Sequence, residues 1–549
     1  MKNLKFYSLS ECAITIEWDH KMSIVVYEQI TSFNLLLNEH PFTGFTETVP
    51  AYNTITVFYQ PELIIPFDKS PTVFVKRHIE KLIAEKSIHP ELKKNYVSIP
   101  VCYDEEFGPD LPFISETKGI SIQQVIATHQ QMDYHVYMMG FLPGFSYMGE
   151  VDDTIAVARK ASPRAVIEKG SVGIAGNQTG IYPLSSPGGW QIIGRTPCSL
   201  FDVDQEDPFF FKTGDTVHFE SITKEEFYKY KEKENSVVVE EEEKDTNVIV
   251  RKAGVYSTFQ DNGRFGFRSY GVPESGAMET YSHNIANALG GNEKNCATIE
   301  CTMGGLCLEF KINTVIAITG AGIVLINGIS FPLYQPHNIA LNDVVEIRFN
   351  NKGIRTYLAV QGGFGSKVMM NSRSASPKIN IGTTLKKDMG LRVEKSKSKQ
   401  VLNKIDKLEI PVFESHKTIR IIDGNEIDWI NKESIQQFYT EQFALSNRYD
   451  RMGYLLEGKP IYLENKVEML SSAVVKGTIQ LTPSGQLIVL MNDCQTTGGY
   501  PRIGQIAAID LWVMAQLKQG ETIHFKRISF EEAEELYLTQ QKTIDGYFS

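Results

Sequence analysis

The feature that most limits how this chain can fold is a passage that it spells twice. "KGSVGIAGNQTGIYPLSSPGGWQIIG", from Lys169, and "KGTIQLTPSGQLIVLMNDCQTTGGYPRIG", from Lys476, share one skeleton. Each runs Lys-Gly-Ser/Thr-Val/Ile, then Gln-Thr, then Gly-Gly and an aromatic residue, then Ile-Gly. Self-similarity within one chain signals a repeated structure. Two domains, one in each half, are therefore expected to share a fold and to carry the same loop at the same place.

At 549 residues the chain is long enough for roughly three to four domains of about 150 residues each. The clearest seam is "KEEFYKYKEKENSVVVEEEEKD", Lys224 to Asp245, where charges of both signs crowd together without an apolar period. It reads as a solvated linker with a short helix at its start. Weaker seams lie at "EKSKSKQVLNKIDKLE" from Glu394 and "SIHPELKKNY" from Ser87. The expected division is 1–90, 91–223, a linker at 224–247, then 248–400 and 401–549.

Most of the sequence between these seams reads as strand. "AYNTITVFYQ", "GIRTYLAVQGG", "GTIQLTPSGQLIVLMND" and "HKTIRIIDG" are β-branched and aromatic runs bounded by Gly, Pro, Asn and Asp. Helical patterns are few: Pro71–Lys86, a run from Glu279, another from Ser434, and the final "SFEEAEELYLTQQ" with Ser529 as its cap. The fold class is mainly β with α+β character.

Composition excludes more than it selects. A net charge of −11 spread over the chain gives no reason to expect nucleic acid or an anionic membrane as partner. "MKNLKFYSLSECAITIEWDH" lacks the apolar core of a signal peptide, and the longest apolar run, Thr314–Ile326, is too short to span a bilayer. Seven cysteines without a CxxC pair suggest reduced thiols and a cytoplasmic protein. The eleven histidines show no metal-ligand spacing, and no Walker loop, GxGxxG or HExxH is present.

The repeated loop poses a choice. "SSPGG", Ser185 to Gly189, could pass for the nucleophile loop of a serine amidase. Pro187 argues against this, because it removes an N–H and fixes φ where an oxyanion loop needs donors. The second copy, "QTTGGYP", has no serine at all. The binding alternative uses the paired glycines, Gly188–Gly189 and Gly498–Gly499, to bring backbone N–H groups close to a ligand. Trp190 and Tyr500 supply flat walls, Gln178 and Gln495 supply amides that read a carboxamide or lactam, and Arg195 and Arg502 supply cations. A tight hairpin with ordinary aromatic packing is the bland alternative.

Other dense segments add candidates. "MMGFLPGFSYMGEVDD" from Met138 offers Phe141, Phe145 and an apolar pocket wall, or merely a loop covering the core. Tyr182 is a further binding candidate, and "ARKASPRAVIEKGS" places Arg159, Lys160 and Arg164 close together, either to hold a carboxylate or phosphate or to stay solvated. Further on, Arg264, Arg268, Ser275, Gly276 and Met278 precede a helical pattern, a place where N–H groups bind anions. "SNRYDRMGYLLEG" adds Asn447, Arg448 and Arg451. No catalytic pair stands out.

Taken together, these segments resemble a known pair of families. "EFGPDLP", "GFLPGFSYMG" and "PRAVIEKGSVGIAGNQTGIYPLSSPGGWQIIGRTP" resemble allophanate hydrolase subunit 1; the runs from Phe259, Ser446 and Gly477 resemble subunit 2, the biotin-dependent carboxyltransferase family. The resemblance covers nearly the whole chain. It implies a ferredoxin-like N-terminal domain and three cyclophilin-like β-barrels. It also implies one of three roles: fused B and C subunits of an ATP- and Mg²⁺-dependent 5-oxoprolinase, whose separate A subunit works with them on a lactam or amide substrate; the carboxyltransferase part of a urea carboxylase; or an inhibitor of a kinase. It leaves self-association open. Glu279 departs from the family pattern, which has Asp there, as do "NSRSAS" from Asn371 and "NIGTTLKKDMG" from Asn380. The urea carboxylase role needs a biotin carrier and a biotin carboxylase from elsewhere, so the 5-oxoprolinase role is the expectation.

Overall fold

The computed structural model describes residues 4–18, 23–85, 95–234, 246–396, 416–465 and 469–548, together with residues 408, 410, 411 and 467. The second half of the charged linker and most of the two weaker seams lie outside the described residues.

The N-terminal unit is a four-stranded antiparallel sheet with two long helices, Ile24–Glu39 and Pro71–Glu85. Its strands neighbour one another in the order Leu4–Ser10, Ala13–Trp18, Thr54–Tyr59, Phe45–Pro50. Along the chain this is β-β-α-β-β-α. The expected ferredoxin-like plait runs β-α-β-β-α-β, so the observed one equals it with the last strand moved to the front. Thr54–Tyr59 is buried at every position, and its two faces have different partners. Ile55, Val57 and Tyr59 pack on the helices, whereas Phe58 meets Ala473 of the C-terminal unit. A strand covered on both faces loses the apolar–polar alternation of a half-buried one.

The two copies of the repeated passage occupy two seven-stranded barrels. In the first, the order is Gln191–Arg195, Ser171–Ala175, Gln178–Ile181, Ser146–Gly149, Asp133–Met139, Thr216–Ser221, Tyr96–Val101. A single backbone pair, Cys102 with Arg195, joins its ends. In the C-terminal unit a closed barrel runs Arg502–Ile506, Thr478–Leu481, Leu487–Leu490, Gly453–Glu457, Gln442–Tyr449, Thr522–Arg527, His416–Asp423. Copy by copy the order is the same, and in both the last two strands are the parallel pair.

The middle unit departs from the expected third barrel: it forms two sheets, of six and five strands, around one core. The reason lies at its corners. The chain passes from one sheet to the other at Gly254, at Met303–Gly305 and at Gly320, all with positive φ. Left-handed residues bend a strand sharply enough to change sheets, which splits the ladder.

The expected helices are present, with shifted ends: Pro71–Glu85, Thr280–Leu289, Lys432–Thr440 and Phe530–Gly546. Ser529 caps the last by accepting the Glu532 N–H at 3.1 Å. Lys224–Glu234 is the helix that opens the linker. Among the described residues, no helix is long and apolar enough to cross a membrane.

Candidate functional site

Three loops meet at Gly140. On one side lies Gly271 of the middle unit, where a Cβ would sit 2.4 Å from Leu142 O and 3.1 Å from Gly140 Cα. On the other lies Thr497 of the C-terminal barrel, whose Oγ1 would be 2.1 Å from a Cβ on Gly140. Gly144 donates its N–H to Tyr270 O at 2.9 Å and so pins the first barrel's loop to the middle unit. The "GFLPGF" segment thus abuts both other parts of the second half, and its glycines are what allow the approach.

The junction has an aromatic wall. Phe141, Phe145, Tyr147, Tyr182 and Trp190 contact one another edge to face or tilted, with centroids 4.8–6.5 Å apart. Tyr52 of the N-terminal sheet joins through Tyr147 at 6.2 Å. Val272, Ile379 and Ile381 of the middle unit complete the same apolar cluster. Burial pushes the Tyr147 hydroxyl up to about 12, against the pull of Arg159 and a hydrogen bond with Ser471. Arg159 lies 6.0 Å from the Trp190 ring and makes no ion pair among the described residues. It is the exposed cation of this wall.

Strain and unsatisfied polarity gather on the same loops. Phe141, Ser275, Met370, Asn371 and Asn380 all have positive φ, between 51° and 66°. Non-glycine residues held there cost energy and tend to cluster at functional sites. Several buried polar atoms have no hydrogen-bond partner among the described residues: Tyr52 Oη, Ser146 Oγ, Arg264 Nη1, Ser275 Oγ, Thr496 Oγ1 and Thr497 Oγ1. Such atoms call for a water, an ion or a ligand. Arg264 is the most demanding of them. It is 1% exposed, donates from Nε to Met369 O at 3.2 Å and from Nη2 to Ser374 O at 2.8 Å, and contacts no carboxylate among the described residues. Burial pushes its guanidinium down to about 10, with Asp261 and Asp493 opposing from a distance. A buried cation without a paired anion is the natural receptor for an anionic ligand.

Other residues flagged by the sequence have different neighbours. Arg164 spends two nitrogens on Asp110, each at 2.8 Å, and Lys160 reaches the same carboxylate at 3.0 Å. Arg195 donates to Glu168 at 3.2 Å and to Lys169 O at 2.8 Å. The three arginines of the first barrel are therefore not one clamp: Arg164 and Arg195 serve carboxylates of the chain, and Arg159 pairs with none among the described residues. Arg502 is buried on Glu426, with a further bond to Tyr7 Oη at 3.0 Å. Ser185 Oγ accepts the Lys169 N–H at 3.1 Å, and Ser186 Oγ lies 3.3 Å from Pro187 O. Neither touches a base. Gly188 lies against the Tyr182 hydroxyl, where a Cβ would be 2.4 Å away, whereas a Cβ on Gly189 would make only ordinary contacts, the nearest being Lys160 O at 3.7 Å. Gln178 sits at a strand start, half-buried. Gln495 reaches Gln480 at 3.5 Å, Gly498 faces the same Gln480, and Gly499 and Tyr500 are exposed. Met278 lies in the core of the C-terminal barrel, Gly276 gives its carbonyl to Arg451 at 2.7 Å, and Asn447 and Arg448 are exposed on a strand.

Two groupings were missed, although Arg451 of the second was a sequence candidate. Asp110 sits in "EFGPDLP" and also accepts the Ile192 N–H at 2.6 Å, so it ties the loop to the strand after Trp190. Burial would raise its carboxyl, but Arg164, the Ile192 N–H and Lys160 outweigh this and hold it low. The second group is a buried network between the middle and C-terminal units. Arg451 bonds Glu300 at 2.5 Å and Asp493 at 2.9 and 3.1 Å; Glu300 also accepts from Tyr357 and the Met278 N–H, each at 2.8 Å. Glu279 accepts from Ser282 and Gln516, and its burial raises the carboxyl to about 7. No signal in the sequence joins residues 150 or more positions apart. Among the described residues, no group of His, Cys, Asp and Glu is arranged to hold a metal ion on its own.

The comparisons with known proteins divide the chain as its barrels do. The family model described as carboxyltransferase domain, subdomain C and D, matches residues 4–211, and that described as subdomain A and B matches residues 270–527. The first half is 40% identical to the B subunit of 5-oxoprolinase from Bacillus subtilis (strain 168) over 235 residues, which is 41% of this chain and 96% of the relative. The second half is 36% identical to the C subunit of 5-oxoprolinase from Escherichia coli (strain K12) over 304 residues, 54% of this chain and 95% of the relative. A crystal structure of TTHA0988 superposes with a TM-score of 0.81 at 27% identity, covering 94% of this chain and 99% of that one.

Proposed function

The chain belongs to the family of 5-oxoprolinase B and C subunits, carried in that order on one polypeptide, and we propose that it is the fused B–C component of an ATP-dependent 5-oxoprolinase. The observation that carries the reading is that one chain matches both relatives nearly end to end, at 96% and 95% of their lengths. The reaction class is hydrolysis of a cyclic amide to glutamate, in the cytoplasm. A separate A subunit of the same enzyme is the expected partner.

The junction supports this chemistry in two ways. An unstrained lactam is a small, flat, amphipathic ring, and the wall of Phe141, Phe145, Tyr147, Tyr182 and Trp190 offers it edge and face contacts. The substrate carries a carboxylate, and Arg264 and Arg159 are junction cations that no carboxylate among the described residues contacts. Ring opening is uphill, so ATP supplies a phosphoryl group to the lactam oxygen and makes the carbon open to attack by water. For that transfer the protein's part is positioning and charge neutralisation. Mg²⁺ usually binds through one or two carboxylates together with the phosphates of its nucleotide, so it would arrive here with ATP.

The described residues offer no nucleophile beside a poised base in the junction, since both serines of "SSPGG" are bonded to backbone groups. The chain therefore activates the lactam, and its partner completes hydrolysis in an enclosed interface. The test is to mix the purified chain, ATP, Mg²⁺ and 5-oxoproline in the presence or absence of the partner, and to follow glutamate and phosphate. Glutamate that forms only when the partner is present supports the reading. Full production by this chain alone overturns the division of labour. No production in the partner's presence, together with carboxyl transfer from carboxybiotin to urea, moves the assignment to the urea carboxylase role.

A further inference from the structure

The proposed reaction leaves unused a groove of about 880 Å³ in the middle unit, lined by Asn295, Cys296, Phe364, Arg373, Arg392 and Lys395 among others. Its volume falls in the range of roughly 300–1,000 Å³ that small-molecule pockets occupy. None of the junction aromatics lines it. One wall carries two guanidiniums that converge on one carboxylate: Arg373 Nη2 and Arg392 Nη2 lie 3.3 and 3.0 Å from the two oxygens of Glu394. Nε and Nη1 of both arginines make no hydrogen bond among the described residues, and Lys395 makes no ion pair there. The lining holds Arg373, Arg392 and Lys395 against Glu293 and Glu394, three positive charges against two negative.

The arrangement is held from behind. The Glu394 N–H donates to Gly363 O at 3.0 Å. Gly362 presses so closely on the Glu394 carbonyl, and Gly365 on its carboxylate, that a Cβ would lie 2.0 and 2.9 Å away. Glu394 is thus fixed by backbone, and it fixes both guanidiniums in turn. Their remaining N–H groups are donors on a groove wall with surplus positive charge. A carboxylate has two oxygens and saturates one guanidinium; a phosphate group has three and can engage both arginines and the lysine together. We infer that this groove binds a phosphate-bearing small molecule through Arg373, Arg392 and Lys395.

The ligand would also bear on the junction. Arg373 stands between Ser372 and Ser374, which both donate to Asp261, and its own N–H donates to Asp261 at 2.7 Å. Ser374 O is the acceptor that holds Arg264. A phosphate on Arg373 therefore grips the loop that positions the buried cation.

The experiment is calorimetric titration of the full chain with inorganic phosphate in a phosphate-free buffer. The double variant Arg373→Gln/Arg392→Gln should bind phosphate at least tenfold more weakly, as expected when charge-assisted contacts are removed. Glu394→Gln should bind it at least as tightly as the parent, because the competing acceptor is neutralised. Should the double variant misfold by circular dichroism, the exposed Lys395→Gln carries the test, with a loss of about threefold or more expected. No phosphate uptake by the parent chain at millimolar concentration, or unchanged uptake by these variants, overturns the site. ATP that displaces phosphate identifies a nucleotide as the ligand class; ATP that leaves it in place restricts the groove to free phosphate or a smaller ester.

Discussion

Gly140 and Thr497, from different barrels, are in contact without room for a methyl group: a Cβ on Gly140 would lie 2.1 Å from Thr497 Oγ1 and 3.1 Å from Thr497 Cβ. The position is not one of positive φ, so the need for glycine is purely steric. Gly140→Ala should force the two loops apart, at a cost of about 1–3 kcal/mol for overpacking. Activity should fall by more than the loss of folded protein explains, because the aromatic wall is displaced from the C-terminal loop. Thr497→Gly in the same chain should restore most of both. Unchanged turnover and melting temperature in Gly140→Ala would show that the contact carries nothing.

The two serines of "SSPGG" should be dispensable. Ser185 Oγ serves a backbone N–H and Ser186 Oγ faces a neighbouring carbonyl. Ser185→Ala and Ser186→Ala should each keep turnover within about threefold and shift stability by about 1 kcal/mol at most. A loss above a hundredfold in either, with the fold intact, would restore the amidase-type nucleophile.

Arg159 and Arg164, five residues apart, should fail differently. Arg159 touches an aromatic face and no carboxylate, so Arg159→Ala should weaken substrate binding about tenfold and leave the melting temperature alone. Arg164 belongs to the Asp110 pair. Asp110→Asn should cost about 1–3 kcal/mol, since Arg164 and Lys160 keep some access to water and can be re-solvated. The pH dependence follows from the depressed Asp110 carboxyl. Its stabilisation is complete above the unfolded value and is lost as pH falls through the folded one. Acid melts of parent and Asp110→Asn should therefore converge at low pH; curves that stay parallel would remove the ion pair from the account.

Glu279 should act in the opposite sense. Burial raises it to about 7, against the hydrogen bonds from Ser282 and Gln516. Between the ordinary carboxyl range and pH 7 the folded state holds a proton that the unfolded state has released. Stability must then fall as pH rises across that interval. Glu279→Gln keeps the shape and removes the titration, so it should flatten this part of the stability curve and be more stable than the parent at pH 8. Denaturant melts from pH 4.5 to 8 measure the slope directly, and identical slopes in the two proteins would place the proton elsewhere.

The duplicated barrel was legible because its signal is local: Lys-Gly, Gln-Thr and Gly-Gly-aromatic sit within one hairpin system, and both copies fold with the same strand order. The junction aromatics were legible for the same reason, since Phe141, Phe145, Tyr182 and Trp190 sit in loops that flank neighbouring strands of one barrel. The helix Ile24–Glu39 was not, because its start, Ile24-Val25-Val26-Tyr27, is β-branched and aromatic and looks like strand. Nor were the arginines' roles. Whether Arg502 binds a ligand or Glu426 depends on a residue 76 positions away, and Glu47 finds Arg268 across 221. Pattern along the chain carries no trace of such pairs. It also could not show that left-handed corners split the middle unit into two sheets.

That long-range pairing leads to the last prediction: the linker is not what holds the two halves together. Glu47 of the first half accepts the Arg268 N–H at 2.8 Å and pairs with its guanidinium, which Glu274 and then Lys476 continue into the C-terminal barrel. Tyr7 meets Arg502 at 3.0 Å, and Thr54 meets Ser472 at 3.2 Å. Glu534 of the last helix accepts the Thr72 N–H and hydroxyl at 3.1 and 2.7 Å. The apolar cluster of the junction joins Tyr52, Trp190 and Ile381 without a boundary. Buried, mutually satisfied groups of this kind belong to a permanent interface. A protease site placed between residues 235 and 245 should therefore yield two fragments that still co-elute after cleavage, with the activity of the intact chain when the partner is supplied. Glu47→Gln should weaken their association, because it leaves Arg268 buried beside a single carboxylate. Fragments that separate at physiological salt as soon as the linker is cut would mean that fusion, rather than this interface, makes the halves one unit.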